Sequence, residues 1–229
     1  MGRYDCFLFD ADNTLFDFDR AEREALRRAL EDRGYPFTPE IEGCYQAINT
    51  ALWAKLNRGE IDQATLLVER FSAFTKAAGG THDPVAFNRD YLGYLAQGAY
   101  LIPGALALCQ TLAPHGVLAL VTNGVASVQH ARLAASPLAP LFPWVFVSEE
   151  VGYSKPQTGF FDAVFRALEG VDRRRAVLIG DNLISDIGGG KAAGVDTIWY
   201  NPHHLPCPPE AAPTWTVSCL DAVAGLVCP

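Results

Sequence analysis

The chain has 229 residues, of which 49% are hydrophobic and 19% charged, so it can bury a sizeable core in one large domain or two small ones. Its formal net charge of −8 argues against nucleic acid or an acidic membrane surface as a partner. Six cysteines without a C-x-x-C pair argue against a disulfide framework or a zinc site, and no apolar run approaches the length of a membrane helix, so we expect a reduced, cytoplasmic protein.

The first predicted element is a buried parallel strand over Cys6–Phe9, which ends at Asp10-Ala11-Asp12-Asn13-Thr14-Leu15. Aspartate is depleted in strands and is rarely buried without a partner. Two carboxylates two residues apart at a strand end therefore point to a neutralising cation. Taken alone, the stretch also fits an Asx-turn that ends the strand and caps the next element.

About 80 residues with helical periodicity follow this strand. Four helices are predicted to begin at capping residues, which are Asp19, Thr38, Asp62 and Asp83. Four amphipathic helices joined by short loops form a bundle. We therefore predict a helical domain over residues 17–98, inserted into a domain formed by residues 1–16 and 99–229.

From Pro103 onward, predicted helices and strands alternate. The strands are predicted at 117–121, 144–147, 175–179, 196–200 and 214–217, and the helices at 105–112, 125–133, 157–168, 184–193 and 220–227. Strands that alternate with helices form a parallel sheet with helices on both faces. The predicted fold class is α/β: a doubly wound, Rossmann-like parallel sheet with an inserted all-helical domain.

Polar side chains follow the ends of three predicted strands. They are Asp10 and Asp12 after the first strand, Thr122-Asn123-Gly124 after the second, and Asp181 after the strand at 175–179. Lys155 lies in the loop ahead of the helix at 157–168. Ligands of open parallel sheets bind beyond the carboxyl ends of the strands, so these groups are expected to meet.

The chemistry of these groups fits a metal and a phosphate. Carboxylates without a nearby histidine or thiolate favour Mg²⁺, and a hydroxyl, a lysine and backbone N–H groups at a helix start are typical of a phosphate site. Taken singly, each motif also fits an ordinary turn, a helix cap or a solvated surface lysine. Their occurrence together, in this order, makes the functional interpretation the stronger one.

The motifs resemble those of the haloacid dehalogenase (HAD) superfamily, and the helical insert resembles its C1-type cap. The matching motifs are Asp10-x-Asp12-x-Thr14, Thr122-Asn123-Gly124, Lys155-Pro156 and Gly180-Asp181-x-x-x-x-Asp186. Further segments resemble the pyrimidine 5′-nucleotidase branch: Asp10-Ala11-Asp12-Asn13-Thr14-Leu15-Phe16, Leu52-Trp53, Val147-Ser148-Glu149-Glu150-Val151-Gly152, Asn201-x-His203-His204 and Ala212-Pro213-Thr214-Trp215-Thr216-Val217. Asn13 departs from the glycine common at that position, but asparagine tolerates an unusual backbone conformation.

The resemblance implies phosphoryl transfer in two steps. Asp10 would attack phosphorus and form an aspartyl-phosphate, and Asp12 would protonate the leaving oxygen and then deprotonate the hydrolytic water. The cofactor Mg²⁺ would be held by the Asp10 carboxylate, the Asp12 backbone carbonyl and Asp181. Asp186 would act behind these ligands or through water.

The resemblance also divides substrate recognition between the two domains. In the core, Thr122, the Asn123 amide and Lys155 would hold the phosphoryl oxygens. In the cap, the candidates to face the leaving group are Trp53, Asn49 and Arg58. The alternatives are that Trp53 belongs to the core of the bundle and that Arg58 is a solvated helix end.

The expected function is therefore a Mg²⁺-dependent phosphomonoesterase, and more narrowly a 5′-nucleotidase for (deoxy)pyrimidine nucleoside monophosphates. The expected partner is this small-molecule substrate, without nucleic acid or membrane, and the expected assembly is a monomer or homodimer. A sugar-phosphate or phosphoglycolate phosphatase is the alternative, and a phosphomutase shares both aspartates. Dehalogenation is disfavoured because it needs no second acid at Asp12, and a non-catalytic regulator is disfavoured because every catalytic position carries a competent residue.

Overall fold

A computed structural model describes residues 3–228. The elements in chain order are β1 (Cys6–Phe9), α1 (Phe18–Glu31), α2 (Pro39–Asn57), α3 (Gln63–Ala77), α4 (Pro84–Leu95), α5 (Ala105–Leu112), β2 (Val117–Thr122), α6 (Ala126–Ala134), β3 (Trp144–Val147), α7 (Ser148–Val151), α8 (Thr158–Ala167), β4 (Ala176–Gly180), a π-helical segment (Leu183–Gly188), α9 (Gly189–Ala192), β5 (Asp196–Tyr200), β6 (Trp215–Val217) and α10 (Asp221–Val227). The chain forms two compact units. The core unit contains the residues up to Phe18 and from Ala99 onward, and the cap unit is Asp19–Gly98.

The core unit is built on a sheet of six parallel strands in the order β3-β2-β1-β4-β5-β6. In its centre, Phe9 of β1 lies beside Leu120 of β2 and Ile179 of β4. The chain winds outward from β1 to β3, returns to β4 and then winds outward in the opposite direction. Ligand crevices form where the winding reverses, here between β1 and β4. The predicted doubly wound α/β fold is confirmed.

Strand β1 is buried on both faces of the sheet. Phe7 and Phe9 belong to a hydrophobic cluster that includes residues of α5 and α10, whereas Cys6 and Leu8 belong to a second cluster that includes residues of α8. Successive side chains of a strand point to opposite faces. A strand that is apolar at every position therefore needs helices on both sides, which explains why the run shows no alternation.

The cap unit takes its helices from local capping signals and an aromatic interior. The side chains of Thr38, Asp62 and Asp83 each accept a hydrogen bond from a backbone N–H in the first turn of α2, α3 and α4, as the sequence predicted. In the interior, Phe71 stacks on Phe87 with 4.4 Å between ring centroids. The caps thus determine where the helices begin, and burial of the rings holds them together.

Two elements differ from their predicted form. Helix α1 begins at Phe18 instead of after Asp19, because Asn13 Oδ1 accepts a hydrogen bond of 3.0 Å from the Phe18 backbone N–H. The predicted helix at 184–193 is a π-helical segment followed by the single turn of α9. A Cβ atom on Gly190 in α9 would lie 2.6 Å from Thr197 Cγ2, so the glycine allows α9 to pack closely against β5.

Two global expectations concern cysteines and membranes. All six cysteines are free, and burial raises the pKa of the Cys6 and Cys109 thiols to about 12. These two thiols behave as small hydrophobic groups of the core. Across residues 3–228, the helices are all too short or too polar to cross a membrane.

Candidate active site

Side chains from five segments of the core unit meet beyond the carboxyl ends of β1, β2 and β4. Asp10 directly follows β1, Thr122 ends β2, Asp181 directly follows β4, Lys155 precedes α8, and Asp186 lies in the π-helical segment. The sequence had singled out all five. The sheet topology brings them to the edge where the winding reverses.

The centre of the site is the ammonium group of Lys155, which is 1% exposed. Its Nζ donates to Asp10 Oδ1 at 2.6 Å, to Asp186 Oδ1 at 2.7 Å and to the Val121 carbonyl at 2.7 Å. Burial opposes the charged ammonium, but the two carboxylates outweigh it and raise the pKa of Lys155 above its usual value. Lys155 is therefore a buried positive charge whose three donors are engaged by the protein, and not a solvated surface lysine.

Asn123 holds the loop that carries Lys155. Its Nδ2 donates to the Lys155 carbonyl at 2.8 Å, and its Oδ1 accepts from the Lys155 backbone N–H at 2.9 Å. This pair of hydrogen bonds fixes the backbone of the lysine against the end of β2. The sequence placed Asn123 at the site but did not reveal that its side chain positions Lys155.

Asp10, Asp181 and Asp186 place carboxylate oxygens within 4.8 Å of one another. Burial raises the pKa of Asp10 to about 7 against the opposing effect of Lys155, and burial followed by repulsion from Asp10 and Asp186 raises the pKa of Asp181 well above its usual value. When all are ionised, three carboxylates against one ammonium leave two excess negative charges. Oxygen donors of this kind fit Mg²⁺, whose charge would balance that excess.

Asp186 is the most completely buried of these carboxylates. Its side chain is 1% exposed, and its Oδ2 accepts a hydrogen bond of 3.1 Å from the Asn182 backbone N–H. A Cβ atom on Gly180 would lie 2.4 Å from Asp186 Oδ2, so the glycine at the end of β4 allows this close approach. The sequence predicted Asp186 behind the metal ligands, and the structure places its carboxylate on Lys155 beside Asp10.

Asp12 has different neighbours from the other carboxylates. Its Oδ1 accepts a hydrogen bond of 2.5 Å from Arg132 Nη1, and its Oδ2 accepts one of 2.7 Å from Gln129 Nε2. Both donors belong to α6, where a spacing of three residues places them on one side of the helix. The sequence analysis missed both residues. The available signal was two polar residues at that spacing beside the apolar positions of a predicted core helix.

Thr122 and Asn13 shape the turns at the ends of β2 and β1. Thr122 is 1% exposed, and its Oγ1 accepts a hydrogen bond of 3.0 Å from the Gly124 backbone N–H. A hydroxyl that accepts in this way keeps its O–H for donation to a ligand. Asn13 has φ of 56°, in the left-handed region that asparagine tolerates.

The three cap residues proposed from the sequence lie in different environments within the cap unit. Asn49 is buried; its Nδ2 donates to Glu22 Oε1 at 2.8 Å, and its Oδ1 accepts from Arg70 Nη1 at 3.5 Å. Trp53 is half-buried, and Arg58 is exposed at the C-terminal end of α2. The amide of Asn49 is thus part of a buried polar network.

Comparison with known proteins identifies a family and relatives that align with nearly the whole of this sequence. Residues 4–194 match the model of the haloacid dehalogenase-like hydrolases. The chain is 38% identical to the pyrimidine 5′-nucleotidase PynA of Streptococcus pneumoniae over 95% of each chain, and 35% identical to the pyrimidine 5′-nucleotidase YjjG of Escherichia coli over 99% of each. A magnesium-bound crystal structure of the HAD-hydrolase YfnB of Bacillus subtilis matches with a TM-score of 0.94 and 37% identity, over 99% of this chain and 100% of that chain.

Proposed function

The chain belongs to the haloacid dehalogenase-like hydrolase family, and from that premise we propose that it is a Mg²⁺-dependent phosphomonoesterase that acts through an aspartyl-phosphate on Asp10. The observation that supports this most strongly is the group of three carboxylates around the buried Lys155. The group lies at the edge of the sheet where ligands bind and carries more negative than positive charge. Such an arrangement suits a site that takes up a cation together with an anionic substrate.

In the first step, the Asp10 carboxylate attacks phosphorus, and the bond between phosphorus and the leaving oxygen breaks. Asp12 gives its proton to that oxygen, so the alcohol leaves as a neutral molecule. Lys155 fixes Asp10 through Oδ1. Its positive charge offsets part of the repulsion between the carboxylate and the incoming phosphate.

In the second step, water attacks the phosphorus of the aspartyl-phosphate, and Asp12 accepts the proton of that water. The bond between phosphorus and Asp10 breaks, inorganic phosphate leaves, and the Asp10 carboxylate is regenerated. Thr122 can donate its O–H to a phosphoryl oxygen throughout, because its hydroxyl accepts only from the Gly124 N–H in the turn.

The metal would be held by the Asp10 carboxylate, the Asp12 backbone carbonyl and Asp181, with Asp186 behind them. When bound, Mg²⁺ supplies the positive charge that draws in the phosphoryl oxygens and stabilises the transition state. The three-carboxylate donor set in this chain and the magnesium-bound structure of the relative YfnB support this assignment.

We propose that the substrates are (deoxy)pyrimidine nucleoside monophosphates. The support is the similarity to PynA and YjjG, which extends over nearly the whole chain and therefore includes the cap unit. The core residues bind only the phosphoryl group, so the preference for a particular leaving group depends on other residues. Trp53 and Arg58 remain the proposed specificity residues of the cap unit, whereas the amide of Asn49 is engaged by Glu22 and Arg70 inside that unit.

The experiment that tests this proposal is a substrate panel with Mg²⁺: UMP, dUMP, dTMP, AMP, hexose phosphates and phosphoglycolate. We expect kcat/KM to be highest for the pyrimidine monophosphates, with phosphate release as the measurement. A preference for a sugar phosphate or phosphoglycolate would reject the nucleotidase assignment but keep the phosphomonoesterase. Undiminished turnover of every substrate after chelation of the metal would reject the mechanism.

A further inference from the structure

Two residues of α6 bind Asp12 although neither has a part in the two steps above. Arg132 Nη1 donates to Asp12 Oδ1 at 2.5 Å, and Gln129 Nε2 donates to Asp12 Oδ2 at 2.7 Å. The Arg132 side chain is fully buried at 0% exposure, while the Asp12 side chain is 26% exposed. Burial of a guanidinium costs free energy unless a negative group compensates its charge, and Asp12 is such a group here.

The position of Arg132 is fixed by aromatic rings as well as by Asp12. Its guanidinium carbon lies 4.8 Å from the ring centroid of Phe16 and 5.8 Å from that of Phe18. Arginine over an aromatic ring is attracted by the ring face. The next residue, Leu133, is buried in the core and anchors this part of α6. The guanidinium therefore offers Asp12 a rigid partner.

We propose that Arg132, assisted by Gln129, is a positioning residue that holds Asp12 as the acceptor of the proton from the hydrolytic water. This inference rests on the proposed function. Each carboxylate oxygen has two acceptor sites, so one donor on each oxygen orients the group and leaves one site open on each. The two donors thus hold Asp12 as an oriented carboxylate, and its open acceptor sites can take the proton of the water.

The role belongs to the second step of the reaction. In that step, the water oxygen forms its bond to phosphorus, the bond from phosphorus to Asp10 breaks with its electron pair going to the carboxylate, and the water proton passes to Asp12. A misplaced Asp12 slows this step while Asp10 can still attack. Loss of Arg132 should therefore slow hydrolysis of the aspartyl-phosphate, so the phosphorylated enzyme accumulates.

Para-nitrophenyl phosphate separates the two steps, because nitrophenolate leaves without needing a proton. With this substrate, ³²P-labelled, and Mg²⁺, we compare Arg132→Met with the wild type by steady-state kinetics and acid quenching. We expect kcat to fall roughly 10²-fold, KM to fall with it, and the acid-stable phosphorylated fraction of the enzyme to rise. Arg132→Lys, which keeps a cation, should recover part of the lost kcat.

Arg173→Met is the matched control. Arg173 Nη2 also pairs with a carboxylate, Asp162 at 2.7 Å, and its guanidinium carbon also lies over a ring, Phe165 at 4.9 Å. It has no contact with Asp12, so kcat and the phosphorylated fraction should equal those of the wild type. Gln129→Met should lower kcat and raise the phosphorylated fraction as Arg132→Met does, but by less. If Arg132→Met does not fold, the result with Gln129→Met tests the inference in its place.

The result that overturns the inference is a loss of kcat in Arg132→Met without a rise in the phosphorylated fraction, or no loss at all. If Arg132→Met lowers kcat, Arg132→Lys does not restore it and KM is unchanged in both variants, Arg132 has a structural role. That result would also overturn the inference. A wild-type protein that neither turns over the substrate with Mg²⁺ nor becomes labelled would instead overturn the proposed function, and this inference with it.

Discussion

Each unit contains a buried group of charged side chains, and the two groups differ in their charge balance. In the core unit, Asp10, Asp181 and Asp186 surround a single cation, Lys155. All four belong to segments that follow strands of the sheet or connect them. We call this group the core cluster. It carries two more negative than positive charges when its carboxylates are ionised.

The corresponding group in the cap unit, which we call the cap cluster, is balanced. Glu22 Oε1 accepts hydrogen bonds of 2.8 Å from Asn49 and of 3.3 Å from the hydroxyls of Tyr45 and Tyr91. Arg70 supplies a positive charge that acts on Glu22, and Asp19 adds a weaker repulsion. Burial nevertheless raises the pKa of Glu22 to about 7, with Arg70 opposing that rise.

The difference indicates which of the two groups is structural. A carboxylate and a guanidinium that are linked through the Asn49 amide need no cation from solution and can stabilise the packing of a helical bundle. An unbalanced group at the ligand edge of a sheet needs a cation from solution. On this interpretation, variants of the core cluster affect turnover and metal binding, whereas variants of the cap cluster affect stability.

The largest effect is expected from Asp10→Asn, because an amide cannot attack phosphorus. Turnover of para-nitrophenyl phosphate should fall by roughly 10⁴-fold or more. The folded state should persist, since the change removes a carboxylate from a group with excess negative charge. Phosphate release and thermal unfolding check the two statements. Activity within about tenfold of the wild type would show that the nucleophile is another residue.

The second-largest effect is a difference in stability between loss of Lys155 from the core cluster and loss of Arg70 from the cap cluster. Lys155→Met leaves three carboxylates without a compensating cation, and in metal-free buffer at pH 8 it should lower the free energy of unfolding by about 3–5 kcal/mol. Arg70→Met is the control in the cap cluster. It leaves one carboxylate of the cap cluster, Glu22, to be compensated instead of three, so the loss should be smaller. Urea unfolding measures both, and an equal or larger loss in Arg70→Met would contradict the distinction.

The smallest effect is a pH dependence that belongs to Glu22. Its folded-state pKa of about 7 lies above the unfolded value near 4.3, so the folded state binds the proton more tightly. The stabilisation is complete below about pH 4 and is lost as the pH rises through 7. Between pH 5 and 8 the wild type should lose about 1–3 kcal/mol more stability than Glu22→Gln. Saturating Mg²⁺ in both samples suppresses the contribution of the core cluster, and identical pH slopes would refute the assignment.

Features that depend on local pattern could be predicted from the sequence. The unbroken apolar run of β1 indicated a strand covered on both faces, and the caps Thr38, Asp62 and Asp83 marked three helix starts. The meeting of Asp10 and Asp181 followed from a rule of topology, because parallel strands end at the same edge of the sheet.

Features that depend on partners distant in the chain could not be predicted. The Asn123 side chain binds the backbone of Lys155, 32 residues away, and Arg132 binds Asp12 across 120 residues. Helix periodicity marks Gln129 and Arg132 as polar residues on a core helix, but it does not identify their partner, since these contacts arise only when the folded sheet places β2 and α6 beside β1.

Magnesium binding measured by calorimetry on the wild type, Asp181→Asn and Glu22→Gln tests most directly whether the excess charge of the core cluster binds a cation. The wild type and Glu22→Gln should bind a single ion with equal affinity, and Asp181→Asn should bind it at least about tenfold more weakly. At a free concentration about 100 times Kd, the ion should stabilise the wild type by about 2.7 kcal/mol. Binding by Asp181→Asn as tight as that of the wild type, or no binding by the wild type, would contradict the assignment.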